Sequence, residues 1–176
     1  MTVEACQSYC LGKNYPLAGL EYSTQCYCGI SLGSYSTVGC TGCTMACSGN
    51  SGETCGGFSR LSVYNNTNYV YPQLVQGVGT YNLSGCFTDS QIARGLSSFR
   101  TASATSMTVE NCVASCQARG YSKAGVEYGA ECHCGNTLAN ASTPAPISDC
   151  TAMFCTGNLT EFCAGPNRIL VYSSGP

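Results

Sequence analysis

The chain repeats itself, and the repeat is written around cysteine. MTVEACQSYC opens at Met1 and MTVENCVASC recurs at Met107. At the same offset of 106, GLEYSTQCYCG (19–29) lies over GVEYGAECHCG (125–135). A second block, CSGNSGETCGGFSRLSVY from Cys47, matches CTGNLTEFCAGPNRILVY from Cys155 at an offset of 108, so two residues are inserted in the intervening loop. A chain with such an internal repeat folds as two like units and not as one large core. The expected boundaries are residues 1–64 for the first unit and 80–173 for the second. Residues 65–79 read as a linker: rich in Asn, Gly and Tyr, without charge or cysteine, and stiffened by Pro72. Units this small bury too little apolar surface to be comfortably stable, and covalent staples make up the deficit.

The staples are sixteen cysteines in 176 residues. Cys6, Cys10, Cys26, Cys28, Cys40, Cys43, Cys47 and Cys55 lie in the first unit. Cys86, Cys112, Cys116, Cys132, Cys134, Cys150, Cys155 and Cys163 lie in the second. A reduced, metal-binding protein of this size would bring several histidines or repeated CxxC knuckles; here there is one histidine, His133, and one CxxC, Cys40 to Cys43. All sixteen are therefore expected in disulfides, with no metal site and no cofactor. Four N-x-[ST] sequons, at Asn65, Asn82, Asn140 and Asn158, point to the same oxidising, secreted setting and are expected to carry glycans. No charged n-region followed by an apolar stretch opens the chain, so a mature secreted fragment is expected. Only 9% of residues are charged and the net charge is −2, with no basic cluster to follow a phosphate backbone or an anionic membrane. No apolar run reaches the ~18 residues of a membrane span. Nucleic acid and membrane insertion are excluded as partners.

Each unit reads as a small α+β domain, one helix on a short antiparallel sheet with long loops. Thr108 can cap a helix through VENCVASCQAR, with Glu110 in its first turn and Gly120 as its stop; Thr2 to Gly12 repeats this. An extended stretch ending ECHCG or QCYCG follows, then a Gly/Ser/Thr loop and a closing RILVY or RLSVY strand. The second unit also opens with an extended GTYNLSGCFTDS. Cysteines four apart on a helix and two apart on a strand share a face at nearly matching pitch. A helix laid antiparallel on that strand would join Cys116 to Cys132 and Cys112 to Cys134, and in the first unit Cys10 to Cys26 and Cys6 to Cys28. Eight cysteines allow 105 connectivities, so spacing alone leaves the pairing open.

The second unit, with GCFTD at 85–89, Arg94, Leu96, MTVENC, CQARGY, AGVEY, ECHCG and TEFCAGPNRILVY, resembles the WSC domain, a cysteine-rich module of fungal cell-wall sensors and secreted carbohydrate-active enzymes. The first unit is similar from MTVEAC onward. The resemblance implies two tandem domains that bind cell-wall polysaccharide of β-glucan, chitin or xylan type, at the cell wall or cell surface. The first unit departs from the pattern: it has no counterpart of Cys86 or Arg94, and Cys40 is extra. Either Cys40 takes over the orphaned cysteine partner, or the missing strand comes from a neighbouring molecule across an open sheet edge.

Catalysis has little support. His133 is replaced by Tyr27 in the first unit and is expected to be a surface side chain. Glu21/Glu127 and Glu53/Glu161 follow the repeat and are expected to hydrogen-bond the scaffold. Sugar binding needs a flat apolar ring and polar groups around it, and twelve Tyr with five Phe supply the rings. Tyr22/Tyr128 and Tyr64/Tyr172 are assigned to the framework. Tyr27, Tyr35, Tyr69 and Tyr71, which differ between the units or fall in loops, are the candidate glycan contacts. The alternative is a structural glycoprotein whose tandem domains assemble head-to-tail into filaments, a homo-oligomer built through the first unit and the linker.

Overall fold

The computed structural model describes residues 1–39 and 41–175. It divides into two compact units, Met1–Tyr69 and the chain from Val70 onward. No described helix is long and apolar enough to cross a membrane.

Unit 1 holds helix α1 (Val3–Gly12) and strands β1 (Leu17–Glu21), β2 (Gln25–Gly29), β3 (Ala46–Cys47), β4 (Asn50–Thr54) and β5 (Ser62–Asn65). Its sheet is three antiparallel strands in the order β2-β1-β5, with β3-β4 as a separate hairpin. Unit 2 holds β6 (Gly77–Val78), β7 (Tyr81–Thr88), β8 (Phe99–Ala102), α2 (Val109–Gln117), β9 (Lys123–Glu127), β10 (Glu131–Gly135), β11 (Pro144–Ala145), β12 (Phe154–Cys155), β13 (Asn158–Phe162) and β14 (Arg168–Ser174). Its sheet runs β11-β7-β14-β9-β10-β8, with β6 paired to β7. The three central strands β14, β9 and β10 repeat β5, β1 and β2 in register: Tyr172↔Ala124↔Cys134 matches Tyr64↔Ala18↔Cys28.

Both helices start as the sequence predicts. The Thr108 hydroxyl accepts from Asn111 N–H and that of Thr2 from Ala5 N–H. A further helix-end donor in each unit, Val109 or Val3 N–H, is satisfied by Glu161 or Glu53 reaching across from a hairpin. These two glutamates are the scaffold hydrogen-bonders expected of them. The buried face of α2 is Val109, Cys112, Val113 and Cys116, the spacing of one helical stripe.

The disulfides correct the expected pairing. Cys112 joins Cys132 and Cys116 joins Cys134; in unit 1 Cys6 joins Cys26 and Cys10 joins Cys28. The reason is topological. The extended stretch after each helix is two strands and not one. β9 returns antiparallel to the helix and β10 turns back again, so the cysteine strand runs parallel to the helix and near cysteine meets near cysteine. The reversal is a three-residue turn at 128–130 whose first residues, Tyr128 and Gly129, take φ of 53° and 70°. Its counterpart in unit 1 has Tyr22 and Ser23 at 51° and 63°. Such angles are costly for tyrosine. They are held from outside: Gly129 N–H donates to Cys163 O, and Ser23 N–H to Cys55 O. Both tyrosines are half exposed, which corrects their assignment to the framework; Tyr172 alone of that group is fully buried.

Cys47 joins Cys55, Cys155 joins Cys163, and Cys86 joins Cys150 across 64 residues. Cys43 is also disulfide-bonded, and Cys40 lies outside the described residues. Residues 65–79, read as a linker, are tied to the units on both sides. Asn65 ends β5, and the Tyr69 hydroxyl donates to Asn14 O in unit 1. Gln73 exchanges backbone hydrogen bonds with Thr160 and Phe162 in unit 2, while Leu74, Val75 and Val78 pack on that unit's core.

Candidate functional site

In each unit the helix covers one face of the sheet, and the opposite face shows what the two units do differently. Along that face in unit 2 run His133, Gly125 and Val171, paired across β10, β9 and β14; in unit 1 the same row is Tyr27, Gly19 and Val63.

Unit 2 covers this face with the segment between β7 and β8. Leu96 is buried against Ile169 and Val171, with Phe87 and Leu138 packed around them. Gly125 makes room: a Cβ there would collide with Ile169 Cδ1 and stand 3.1 Å from Leu96 Cδ1. The same segment carries Arg94 into a cluster of acids. Its guanidinium lies 2.8 Å from Asp89 and 3.5 Å from Glu131, and also pairs with Glu127. His133 Nε2 is 3.1 Å from Glu131 and 3.5 Å from Glu127. Burial pushes the Glu127 carboxyl up to about 8, reinforced by the hydrogen bond and charge of Asp89. Burial also raises Asp89, but hydrogen bonds from Glu127, Arg94 and Gly95 outweigh it and hold that carboxyl below its ordinary value. Burial, with the charge of Arg94, lowers His133, so the ring is neutral at pH 7.

His133 is thus 1% exposed, against the expectation of a surface side chain. The signal was in the sequence: Arg94, Glu127 and Glu131 accompany His133 in unit 2, while unit 1 has Gln25 and Tyr27 for Glu131 and His133 and no Arg94. Ligand atoms of Glu127, Glu131 and His133 lie within 4.8 Å of one another, a spacing that could hold a cation. Arg94 already supplies the positive charge among them, so the cluster serves as a clasp that holds the covering segment on the sheet.

Among the described residues, unit 1 has the same sheet without the cover. Leu61 and Val63, the counterparts of fully buried Ile169 and nearly buried Val171, are 40% and 41% exposed, and Tyr27 is 49% exposed. Together they floor a groove of about 120 Å³ walled by Gly19, Leu32 and Ser36. The Tyr27 hydroxyl donates to the Gln25 side-chain oxygen, which fixes the ring on the sheet with a polar tip at its edge. Tyr35 stands fully exposed in the loop that supplies Leu32 and Ser36. Sequence reasoning missed Leu61 and Val63 as groove residues, because in isolation they read as an ordinary closing strand.

Of the tyrosines singled out from sequence, Tyr27 and Tyr35 therefore belong to one region. Tyr69 is bonded to Asn14 near the C-terminal end of α1, and Tyr71 lies in unit 2, half exposed. A second aromatic pair was not foreseen: Tyr22 and Phe58 meet edge-to-face at 6.2 Å, with Phe58 79% exposed. Of the sequon asparagines, Asn65, Asn82 and Asn140 are exposed. Asn158 is half buried, its amide donating to Glu161 and its oxygen accepting from Thr160. Asn50 bonds Glu53 in the same way in unit 1, where no sequon exists, so Asn158 has a structural task of its own.

The family model of the WSC domain matches residues 1–57 and 83–165. A WSC domain-containing protein of Arthroderma benhamiae is 40% identical over 98% of this chain, which spans 23% of that protein. A Chaetomium globosum protein that carries the name of a fungistatic metabolite is 41% identical over 98% of this chain, which spans 80% of it. The xylosyltransferase oxt of Drosophila melanogaster is 38% identical over 56% of this chain, corresponding to 11% of that enzyme. With the repeat, the cysteine framework and two matched segments in agreement, this chain belongs to the WSC domain family and carries two of its domains in tandem.

Proposed function

We propose that the chain is a non-catalytic, extracellular carbohydrate-binding protein whose sugar contact is the uncovered sheet face of unit 1. Its family is of extracellular, carbohydrate-binding type, and the disulfide framework suits an oxidising compartment. The observation that carries the reading is Tyr27, a half-exposed ring tethered through its hydroxyl to Gln25 and lining one groove with Leu61 and Val63. A pyranose presents an apolar C–H face to such a ring, while Gln25, Ser31 and Ser36 offer partners for equatorial hydroxyls. Tyr35 extends the contact along a polymer. The only histidine is buried inside the unit 2 clasp, which leaves no exposed imidazole for acid–base chemistry.

Sedimentation with insoluble β-glucan, chitin and xylan tests this. Retention by at least one polymer is expected, falling about tenfold for Tyr27→Ala, or ~1.4 kcal/mol. Tyr71→Ala serves as the comparison outside the groove. Equal retention of wild type and Tyr27→Ala on every polymer would remove the groove as the sugar contact.

A further inference from the structure

On the helix side of unit 1, between α1 and the outer edge of β5, lies a cleft of about 290 Å³ lined by Ser8, Leu11, Tyr15, Ala18, Tyr64 and Asn66. The repeat says what belongs there. The counterparts of Tyr15, Ala18, Tyr64 and Asn66 in unit 2 are Tyr121, Ala124, Tyr172 and Ser174. In unit 2 Tyr121, Ala124 and Tyr172 belong to the same core cluster as Tyr81, which is 3% exposed, and Ser174 is its strand partner. The Tyr81 hydroxyl donates to Tyr121 O, and the strand that carries it pairs with β14 through Ser174↔Tyr81 and Tyr172↔Leu83. In unit 1 the matching edge, β5, pairs only with β1 among the described residues.

We propose that this cleft is a strand-binding site: it takes an extended polypeptide segment, supplied from outside the 176 residues, that adds to the β5 edge and seats a tyrosine in the cleft. Strand addition of this kind draws affinity from main-chain hydrogen bonds and specificity from alternate side chains. The segment has the chemistry of residues 81–83, a tyrosine and a leucine two residues apart facing the helix, with a polar residue between them facing away. The tyrosine ring fills the space beside Ala18 and Tyr64, and its hydroxyl reaches the Tyr15 carbonyl. Docking is non-covalent. The strand in unit 2 is bolted by Cys86 to Cys150, whereas Cys43, the counterpart of Cys150, already has a disulfide partner. An edge left bare in solution invites unspecific pairing, and a cleft shaped for one side chain selects among the strands that could add to it. This site is independent of the sugar-binding reading, because it lies on the opposite face of the sheet.

The experiment uses the full chain and a fluorescent synthetic peptide of residues 76–89 with Cys86→Ser. Unit 2 keeps its own strand by disulfide and does not compete. Anisotropy is expected to show saturable binding that weakens at least tenfold when the peptide carries Tyr81→Ala. The same loss is expected when the protein carries Ser8→Trp, an exposed helix position whose new ring plugs the cleft; an unchanged disulfide count by mass spectrometry confirms that this variant folds. Amide shifts confined to α1 and β5 would place the peptide. No saturable binding at millimolar peptide, or binding indifferent to both substitutions, overturns the proposal.

Discussion

The two units share a helix, three central strands and their register, yet one face of the sheet is sealed in unit 2 and bare in unit 1. The whole difference traces to the strand β7 and the segment from Asp89 to Ala102. Where that chain is present, Ile169, Val171 and His133 are buried; where it is absent, Leu61, Val63 and Tyr27 are exposed. The comparison separates two jobs. The helix and its paired disulfides hold a sheet of three strands together from one side. The second layer adds stability and decides whether the other side is core or exposed surface.

The strongest way to break this comparison is to release the cover. Cys86–Cys150 closes a loop of 64 residues, and a loop of that length is worth about 4 kcal/mol in the chain-entropy account. The double replacement Cys86→Ser with Cys150→Ser is expected to lower the urea stability of unit 2 by about that amount. Proteolysis should then cut first within residues 80–102, while unit 1 keeps its pattern. A loss below about 1 kcal/mol would mean that packing and the Arg94 clasp hold the cover without the bond.

Packing comes next. Leu96 is 1% exposed at the centre of the covering layer, so Leu96→Ala leaves a cavity and should cost about 3 kcal/mol. Leu61→Ala, at a position 40% exposed in unit 1, should cost less than about 1 kcal/mol. Equal costs in thermal unfolding would show that unit 1's face is covered in solution, by a partner or by another part of the chain.

How much of this was legible beforehand depends on what each residue answers to. Helix caps are local, and Thr2 and Thr108 announced both helices. The three-residue turns were not announced: Tyr22 and Ser23 hold left-handed angles only because a distant hairpin fixes them through Cys55 O. Without that turn the two strands read as one and the cysteine strand points the wrong way, which is why the spacing suggests crosswise disulfides where the chain forms Cys112–Cys132 and Cys116–Cys134. Likewise His133 reads as a lone polar residue until the strand register sets it beside Glu127 and Glu131 and the chain reversal brings Arg94 over them. The groove at Tyr27 was half legible, since the Tyr–His exchange between repeats marked the position but not its neighbours.

Acid–base behaviour sharpens the contrast at a smaller scale. Glu127 is raised from 4.5 to about 8, so its folded form holds a proton that the unfolded chain releases. Its contribution is complete below pH 4.5 and is lost as pH rises through about 8. Asp89, lowered from 3.8, works the other way: it stabilises above that value and fails on acidification. Glu127 is therefore expected to cost unit 2 stability as the pH rises from 4.5 towards about 8, with the favourable charge of Arg94 already included in that shift. Glu127→Gln should flatten the alkaline limb and leave the acid limb. A persisting alkaline limb in that variant would assign it to another group.

The smallest effect tests what the units have in common. Thr2 and Thr108 each accept from the amide three residues on, and each helix start is also held by a glutamate from the hairpin. A threonine cap replaced by alanine costs about 1 kcal/mol. The same figure is expected for Thr2→Ala in unit 1 and Thr108→Ala in unit 2, because the local geometry is the same and neither cap touches the covered or bare face. The melting temperature need not fall equally: a unit with less apolar surface buried has a smaller unfolding entropy, so an equal loss moves its midpoint further. Thr2→Ala should thus shift unit 1 by more degrees than Thr108→Ala shifts unit 2, at matched loss in urea. Equal shifts in degrees would mean that unit 1 buries as much surface as unit 2 in solution, and its bare face would then have to be occupied.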